Sequence, residues 1–383
     1  MIPRPFCPFD VIARVLAERL RGCLPSEELR AIMGNREIDW ARVVGHARAD
    51  LVLPAFAAAL SDLGLRGSLD PELAAFLDAV HAANAERNAE LRAELAAAVS
   101  VLNGAGIEPV LLKGAIRLLD GLYPDGGWRM LRDLDLLVPQ DSLAAATQAL
   151  TSAGYASCGS FREFRRRGGA CQIDIHAELF FTQRHVRLLP AAELLGEARR
   201  VAFGDGQVWV STIEHQLVHL IAHSQMQHLG HACGRVSLGD RLEAAALTCW
   251  GHATLDWSVV SARFAAAGYQ RPFLSFLLAM NDGDWCAVQV PDKIGALAAL
   301  KQRRIALQAR SKTLAYIGSR LGWWLSAFGS QLEKSDGGER IGIQNLKRLL
   351  SQRGAMGQMI RAFSSRQDHL LHVLPYLTWL VAA

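Results

Sequence analysis

The sequence has few cysteines, and they lie far apart. Only seven of its 383 residues are cysteine, an odd number with no CxxC pair or other paired spacing. Disulfide frameworks and cysteine zinc sites use paired spacings. We therefore expect reduced thiols and a cytoplasmic location.

Long apolar runs and a strong excess of one charge are also missing. The most apolar stretches, such as residues 51–60 and 372–383, fall well short of the roughly 20 residues that span a bilayer. The first residues, MIPRPFCPFD, carry prolines and an acid where a secretory signal has a basic and then an apolar stretch. The 41 Lys+Arg nearly balance the 37 Asp+Glu, giving +4, which excludes a polybasic coat or an acidic disordered tail. We expect a globular protein with no secretory signal and no membrane association.

The hydrophobic pattern divides the chain into three regions. Residues 1–102 place apolar side chains at helical spacing, which predicts about four helices with Ser26 and Asp70 as candidate caps. Residues 103–212 contain short apolar runs that end at glycine or proline, and residues 213–383 are again compatible with helices. At roughly 100 to 200 residues per domain, the length allows two or three domains. The fold class we expect is α+β, a small mixed sheet embedded in a mainly helical protein.

The middle region holds the predicted strands. Residues 109–112 and 134–138 are short apolar runs of the kind found in covered strands, and AIRLLDGLY between them has apolar residues at helical spacing. Residues 161–166 and 171–177 predict two more strands joined by a turn at Gly168-Gly169. Residues 208–213 add a further candidate strand.

Two carboxylates lie close together on one of these strands. Asp133 and Asp135 are two residues apart, so both project from the same face while Leu134 and Leu136 face the core. Adjacent carboxylates repel each other unless a divalent cation bridges them, and Mg²⁺ prefers such oxygen ligands. Asp174, in the alternating stretch QIDIHAE, is the candidate third acid of a two-metal site.

A series of short motifs around these acids resembles a known family. The series consists of LLKGA (111–115), Tyr123-Pro124, Arg129, RDLDLLV (132–138), Gly154-Tyr155 and IDIH (173–176), with further likeness at Asp39-Trp40, Asn84, Arg87, Asn88, His219, His223 and Asp240. It is similar to the uncharacterised nucleotidyltransferase family of the DNA polymerase β superfamily, over most of residues 35–285. The resemblance implies a polymerase β-like nucleotidyltransferase core in residues 103–212.

The resemblance also implies a reaction and a set of site residues. Gly114 would form the phosphate-binding turn, although this chain has Gly114-Ala115 where most of the superfamily has Gly-Ser or Gly-Gly. The three acids would hold two Mg²⁺ ions, with Asp174 also a candidate base. The reaction would transfer NMP from an NTP, with ATP favoured, to an acceptor and release pyrophosphate. The side chains expected to contact the nucleotide are Lys113, Arg129, Arg132 and His176, the last of which could instead make a structural hydrogen bond.

A second group of candidates follows the predicted sheet. His219 and His223 are four residues apart on one helical face and match family positions, as does Asp240. We interpret them as acceptor-binding or helix-packing residues. Zinc binding by the histidines is the alternative, and a helix cap is the alternative for Asp240.

The identity of the acceptor stays open. A small molecule, a peptide, a protein or RNA would all fit, and the oligomeric state is not indicated. The arginines of residues 162–167 could steer a nucleotide or a polyanionic acceptor, or simply be solvated. Two other functions are alternatives, a non-catalytic nucleotide- or peptide-binding accessory protein on the same fold and a nucleic-acid-binding helical protein.

Overall fold

The computed structural model describes residues 7–22, 24–158, 162–169, 171–179, 181, 188–250, 255–282, 285 and 296–322. The helical pattern predicted beyond residue 322 lies outside this part. The described residues fall into two compact units, one drawn from within residues 7–231 and 236–285 and one from within residues 232–235 and 296–322. The proposed three-region division of the sequence stays a prediction.

Up to residue 104, the part of the chain that the structure describes is mainly helical, as the periodicity predicts. Ser26 accepts a hydrogen bond from the Leu29 amide and Asp70 accepts one from the Glu72 amide, which confirms both predicted caps. The helices are α1 (Pro8–Leu20), α2 (Glu27–Met33), α3 (Trp40–Ala49), α4 (Leu53–Asp62) and the long α5 (Pro71–Gly104).

Seven strands of the described residues form one mixed sheet in the order β3-β4-β5-β2-β1-β7-β6. The pairs β2–β5 and β1–β7 are parallel, and the other neighbours are antiparallel. The predicted hairpin at Gly168-Gly169 is confirmed as β4 and β5. The strands are β1 (Val110–Leu111), β2 (Asp133–Leu137), β3 (Tyr155–Ser157), β4 (Glu163–Arg166), β5 (Gln172–His176), β6 (Arg199–Phe203) and β7 (Gly206–Val210).

One face of the sheet packs on α5 and on α6 (Leu143–Ser152). Leu134 and Leu136 of β2 are fully buried in the same cluster as Leu91 and Leu95 of α5. Burying such side chains contributes roughly 1.5–3 kcal/mol each. Because strand side chains alternate, the acids of β2 must project from the opposite face.

The connection between β1 and β2 is tied to α5. The predicted helix in this connection was too long, since only Lys113–Leu118 forms a short 3-10 helix, and Gly121, Pro124 and the following glycines do not favour a continued helix. The connection is instead held by α5 side chains. The Asn84, Arg87 and Asn88 side chains donate to backbone carbonyls of residues 126–131 over 2.6–3.2 Å.

The rest of the first unit is again mostly helical. The helix α8 (Ile213–Ala222) packs against the 3-10 helix and continues into a π-helical turn, His223–Gln227. The other helices described between residues 188 and 282 are α7 (Ala191–Glu197), α9 (Gly230–Cys233), α10 (Leu238–Trp250), α11 (Trp257–Ala266) and α12 (Gln270–Asn281).

The second unit contains α13 (Ala296–Arg310) and further helix over 312–322. Arg304 and Gln308 of α13 donate to the carbonyls of Ala232 and Cys233, both over 2.8 Å. Among the helices that the structure describes, none combines the length and the apolar character that crossing a bilayer requires.

Candidate functional site

Three aspartates lie on the sheet face that turns away from α5. β5 runs parallel to β2, with Asp174 directly opposite Asp135 and Gln172 opposite Asp133. Side chains that are directly opposite in register share a face. The sheet therefore brings Asp133, Asp135 and Asp174 together, although they lie up to 41 positions apart in the sequence.

Asp135 is the most buried of the three acids, with only 2% of its surface exposed. Its Oδ1 atom lies 2.8 Å from Lys113 Nζ and 2.8 Å from His176 Nε2. Burial alone would raise the pKa of Asp135. The hydrogen bond to His176 and the Lys113 charge outweigh burial and hold that pKa far below its usual range, so Asp135 stays ionised.

Asp174 has the opposite electrostatic setting. Its Oδ1 accepts a hydrogen bond from Gln172 Nε2 over 2.7 Å. Burial, together with the negative charges of Asp135 and Asp133, nevertheless raises the pKa of Asp174. A carboxylate destabilised by neighbouring carboxylates gains most from a bound cation.

The donor set at this face fits a divalent ion. One ligand atom each from Asp135, Asp174 and His176 lies within 4.8 Å of the other two. Carboxylate oxygens suit Mg²⁺, and an added imidazole suits transition metals as well. Asp133 projects from the same face of β2, two residues before Asp135.

The residues around the predicted phosphate turn follow β1, so they lie on the side of Asp135 that is away from β5. Lys113 adopts a left-handed φ of 47°, which is uncommon for a residue with a side chain and concentrates at functional sites. Gly114 itself is buried, and a Cβ there would overlap the Leu131 side chain. Its lack of a side chain thus serves close packing. Arg132 is exposed immediately before β2.

Arg129 belongs to a buried ionic network rather than to the open acidic face. Its Nε lies 2.9 Å from Glu243 of α10, at an angle too poor for a hydrogen bond. Glu243 also accepts hydrogen bonds from Arg117 Nε over 2.6 Å and from the Tyr123 hydroxyl over 2.8 Å. Burial would raise the pKa of Glu243, but the charges of Arg117 and Arg129 outweigh it and lower that pKa.

His219 and His223 are held in the neutral form. Burial and the positive charge of Lys113 lower the pKa of His219 to about 3 and that of His223 to about 2. Both rings therefore lie within electrostatic range of the Lys113–Asp135 pair. The rings meet edge to face at 6.3 Å, and the His223 ring lies 4.1 Å from that of His228.

Zinc binding by this histidine pair stays an alternative for which the described residues show no third ligand group. In that part of the chain, groups of three or more close metal-ligand atoms occur only at Asp135, Asp174 and His176 and at Glu193, Glu197 and His215. His219 and His223 belong to neither group. Asp240 lies on α10 and accepts a hydrogen bond over 2.8 Å from Ser224, the residue that follows His223.

Sequence reasoning missed two residues that shape this region. Gln172 lies two positions before Asp174, so the alternation of QIDIH would have placed its side chain beside that acid. Glu243 gave no comparable signal, because its partners Arg117, Tyr123 and Arg129 lie more than 110 positions upstream.

Comparison with known proteins identifies the family. The model of a family described as uncharacterised nucleotidyltransferase matches residues 36–282, which include the whole sheet and every candidate site residue. No curated protein and no solved structure is significantly similar to the chain. The match supports a general role in nucleotidyl transfer, and since it spans well over half of the sequence, the chain belongs to the family of uncharacterised nucleotidyltransferases.

Proposed function

We propose that the acidic face of the sheet transfers NMP from an NTP, with ATP favoured, to a hydroxyl acceptor and releases pyrophosphate. The β2–β5 region would then be a polymerase β-like core. The observation that carries this proposal is the register that sets Asp174 opposite Asp135, with Asp133 on the same face.

Asp133, Asp135 and Asp174 would hold two Mg²⁺ ions. When bound, Mg²⁺ lowers the pKa of the attacking hydroxyl and stabilises the leaving pyrophosphate. The carboxylates are suited to this because the raised pKa of Asp174 reflects burial and repulsion that a cation would relieve.

Lys113 and His176 would orient the nucleotide. Both donate to Asp135 Oδ1 in this structure, so both lie beside an acid that would hold the metal and the nucleotide. The Lys113 ammonium can leave the Asp135 carboxylate and bind a phosphate oxygen instead, at little electrostatic cost. Nucleotide contacts by Gly114, Arg129 and Arg132 stay predictions.

His219, His223 and Asp240 are proposed to contact the acceptor. The two neutral imidazoles can each donate and accept one hydrogen bond, which suits an acceptor hydroxyl better than a second phosphate. The charges of Lys113 and Asp135 both act on the pKa values of His219 and His223. This supports the proposal that the two imidazoles lie near the acids.

The test combines binding and turnover. Titration calorimetry should show that Mn²⁺ or Mg²⁺ binds the wild-type chain and that Asp133→Asn and Asp135→Asn weaken this binding. The same variants should abolish pyrophosphate release from α-labelled NTPs in the presence of Mg²⁺. Asp141→Asn is the matched control, because Asp141 is an exposed acid shortly after β2 and its loss should change neither measurement.

Two results would contradict the proposal. Turnover that survives both substitutions would remove the acids from the mechanism. Nucleotide binding by calorimetry with no metal-dependent turnover would instead support the non-catalytic nucleotide-binding alternative.

A further inference from the structure

Outside the acidic face of the sheet, two helices bring three further metal-ligand side chains together. Glu193 and Glu197 lie four residues apart on α7, so they share one side of that helix. His215 lies in the first turn of α8. One ligand atom from each of the three, here called the α7–α8 cluster, lies within 4.8 Å of the other two.

His215 is buried without the hydrogen bonds that a buried imidazole usually makes. Its side chain is only 3% exposed, and within the described ranges of the chain its Nδ1 atom has no hydrogen-bond partner. Its Nε2 atom points at the two glutamates, 3.4 Å from Glu197 Oε2 and 3.9 Å from Glu193 Oε1. Both distances are longer than the roughly 2.7–3.2 Å of an N–H···O hydrogen bond. A buried polar side chain in this state calls for an explanation, and a site for an ion is one.

An ion pair does not account for the arrangement. Burial lowers the pKa of His215 by more than the charge of Glu197 raises it, so the imidazole is neutral at pH 7 and carries a nitrogen lone pair. A neutral ring gains no ion-pair energy from two carboxylates, whereas its lone pair can bind a metal ion. A divalent cation between Nε2 and the two carboxylates would satisfy all three groups.

Arg263 of α11 orients Glu193 for such an ion. Its Nη1 donates to Glu193 Oε2 over 2.8 Å, and its Nη2 donates to Glu193 Oε1. Carboxylates that bind metals are themselves commonly hydrogen-bonded, which fixes their orientation. Each carboxylate oxygen has two lone pairs, so Oε1 keeps one for a metal. Two carboxylates and one guanidinium leave one net negative charge, which still favours a cation.

The ligand set selects among divalent ions. Mg²⁺ and Ca²⁺ take oxygen ligands, whereas an imidazole nitrogen beside carboxylates suits Zn²⁺ and similar transition metals. Three protein ligands leave at least one position of a zinc ion for water. Glu197 is 57% exposed, so the cluster is open to solvent on its side and an ion can enter there.

We propose that the α7–α8 cluster is a second metal site, which binds a divalent transition-metal ion of the Zn²⁺ class and ties α7 to the first turn of α8. The site is separate from the acids that would hold Mg²⁺, and it does not depend on the proposed function. The same helix carries His219, one turn after His215. The ion would therefore fix the start of the helix that presents His219.

Binding is measured with Zn²⁺ alone, on the full chain after EDTA treatment and dialysis. The background is Asp133→Asn/Asp135→Asn, which weakens metal binding at the acids and leaves the cluster intact. Titration calorimetry should detect a Zn²⁺ site that a large excess of Mg²⁺ does not occupy. Displacement of the Zn²⁺ by Mg²⁺ would overturn the assignment.

In this background, Glu197→Gln and His215→Gln should each weaken Zn²⁺ binding by about a hundredfold or more, because even residues that only support a ligand contribute about 10–100-fold. Glu197 is exposed, so Glu197→Gln should fold normally even if His215→Gln does not. The matched control is Glu214→Gln, which removes the same charge beside His215. Glu214 is outside the cluster and accepts a hydrogen bond from the Asp256 amide, so this variant should keep most of the affinity.

Stability gives a second readout. Zn²⁺ should raise the urea midpoint of the background chain, since a ligand that binds the folded state stabilises it. Glu197→Gln should lose most of this shift, and Glu214→Gln should keep it.

Three results would overturn the proposal. The background chain could bind no Zn²⁺, or Glu197→Gln and Glu214→Gln could bind it equally. Binding that is lost in His219→Gln/His223→Gln but unchanged in Glu197→Gln would assign the ion to the histidine pair instead. None of these results bears on pyrophosphate release, so the proposed function is tested separately.

Discussion

Replacing Glu243 with alanine should destabilise the protein far more than replacing an exposed glutamate. The Glu243 carboxylate accepts hydrogen bonds from Arg117 Nε over 2.6 Å and from the Tyr123 hydroxyl over 2.8 Å, and it lies 2.9 Å from Arg129 Nε. The side chains of Glu243 and Arg117 are only 6% and 3% exposed. Alanine would leave a buried guanidinium without its main counter-charge.

The magnitude follows from what remains after the substitution. Removing one partner of a buried ion pair costs about 3–5 kcal/mol. Arg117 keeps its ion pair with Asp120 and its hydrogen bond to Gln216, and Arg129 is 25% exposed. We therefore expect the lower end, about 3 kcal/mol, which corresponds to roughly a hundredfold change in the unfolding equilibrium constant. Glu243→Gln keeps an acceptor for Tyr123 and should cost less.

Urea denaturation followed by tryptophan fluorescence measures this loss of stability, with a reporter next to the Glu243 network. Trp128 stacks on Tyr123 with ring centroids 6.2 Å apart, so its emission reports on the network. The control is Glu28→Ala, because Glu28 is 69% exposed and its ion pair with Arg14 is at the surface; it should cost less than about 1 kcal/mol. Equal losses in Glu243→Ala and Glu28→Ala would refute the reasoning.

Two further predictions concern the histidines and the predicted phosphate turn. The pKa values of His219 and His223 are about 3 and about 2 in the folded protein and 6.5 in the unfolded chain. The unfolded chain therefore binds more protons than the folded protein near and below pH 6.5. The free energy of unfolding should fall as the pH drops through this range. The loss of stability is at most about 1.4 kcal/mol per pH unit for each histidine. Denaturation midpoints at pH 7.5 and 5.5 measure this loss. If the variant His219→Gln/His223→Gln kept the same pH dependence, the two histidines would not be its cause. Gly114→Ala should cost about 1–3 kcal/mol because the new methyl group overlaps the buried Leu131 side chain. Gly45→Ala, in open space within α3, should instead stabilise by up to about 1 kcal/mol, and a thermal melt in which both variants shift in the same direction would count against the packing argument.

Local sequence patterns were enough to predict the helices of the first hundred residues and the hairpin of β4 and β5. The predicted caps Ser26 and Asp70 show why, since each acts on an amide two or three positions away. The same kind of reasoning failed between β1 and β2. There the apolar spacing of AIRLLDGLY predicted a helix, but the connection is held by Asn84 and Asn88 of α5, and no local pattern encodes contacts across that distance.

The sequence by itself determined that Asp133 and Asp135 share one face of a strand, because side-chain alternation is a property of the strand alone. Tertiary structure decided which residues join them. The pairing of β2 with β5 sets Asp174 opposite Asp135, and the pairing of β5 with β4 sets Glu163 on the other side of Asp174. Strand order and register arise from the packing of the whole sheet on α5 and α6, so they depend on many distant side chains at once and cannot be read from any one segment.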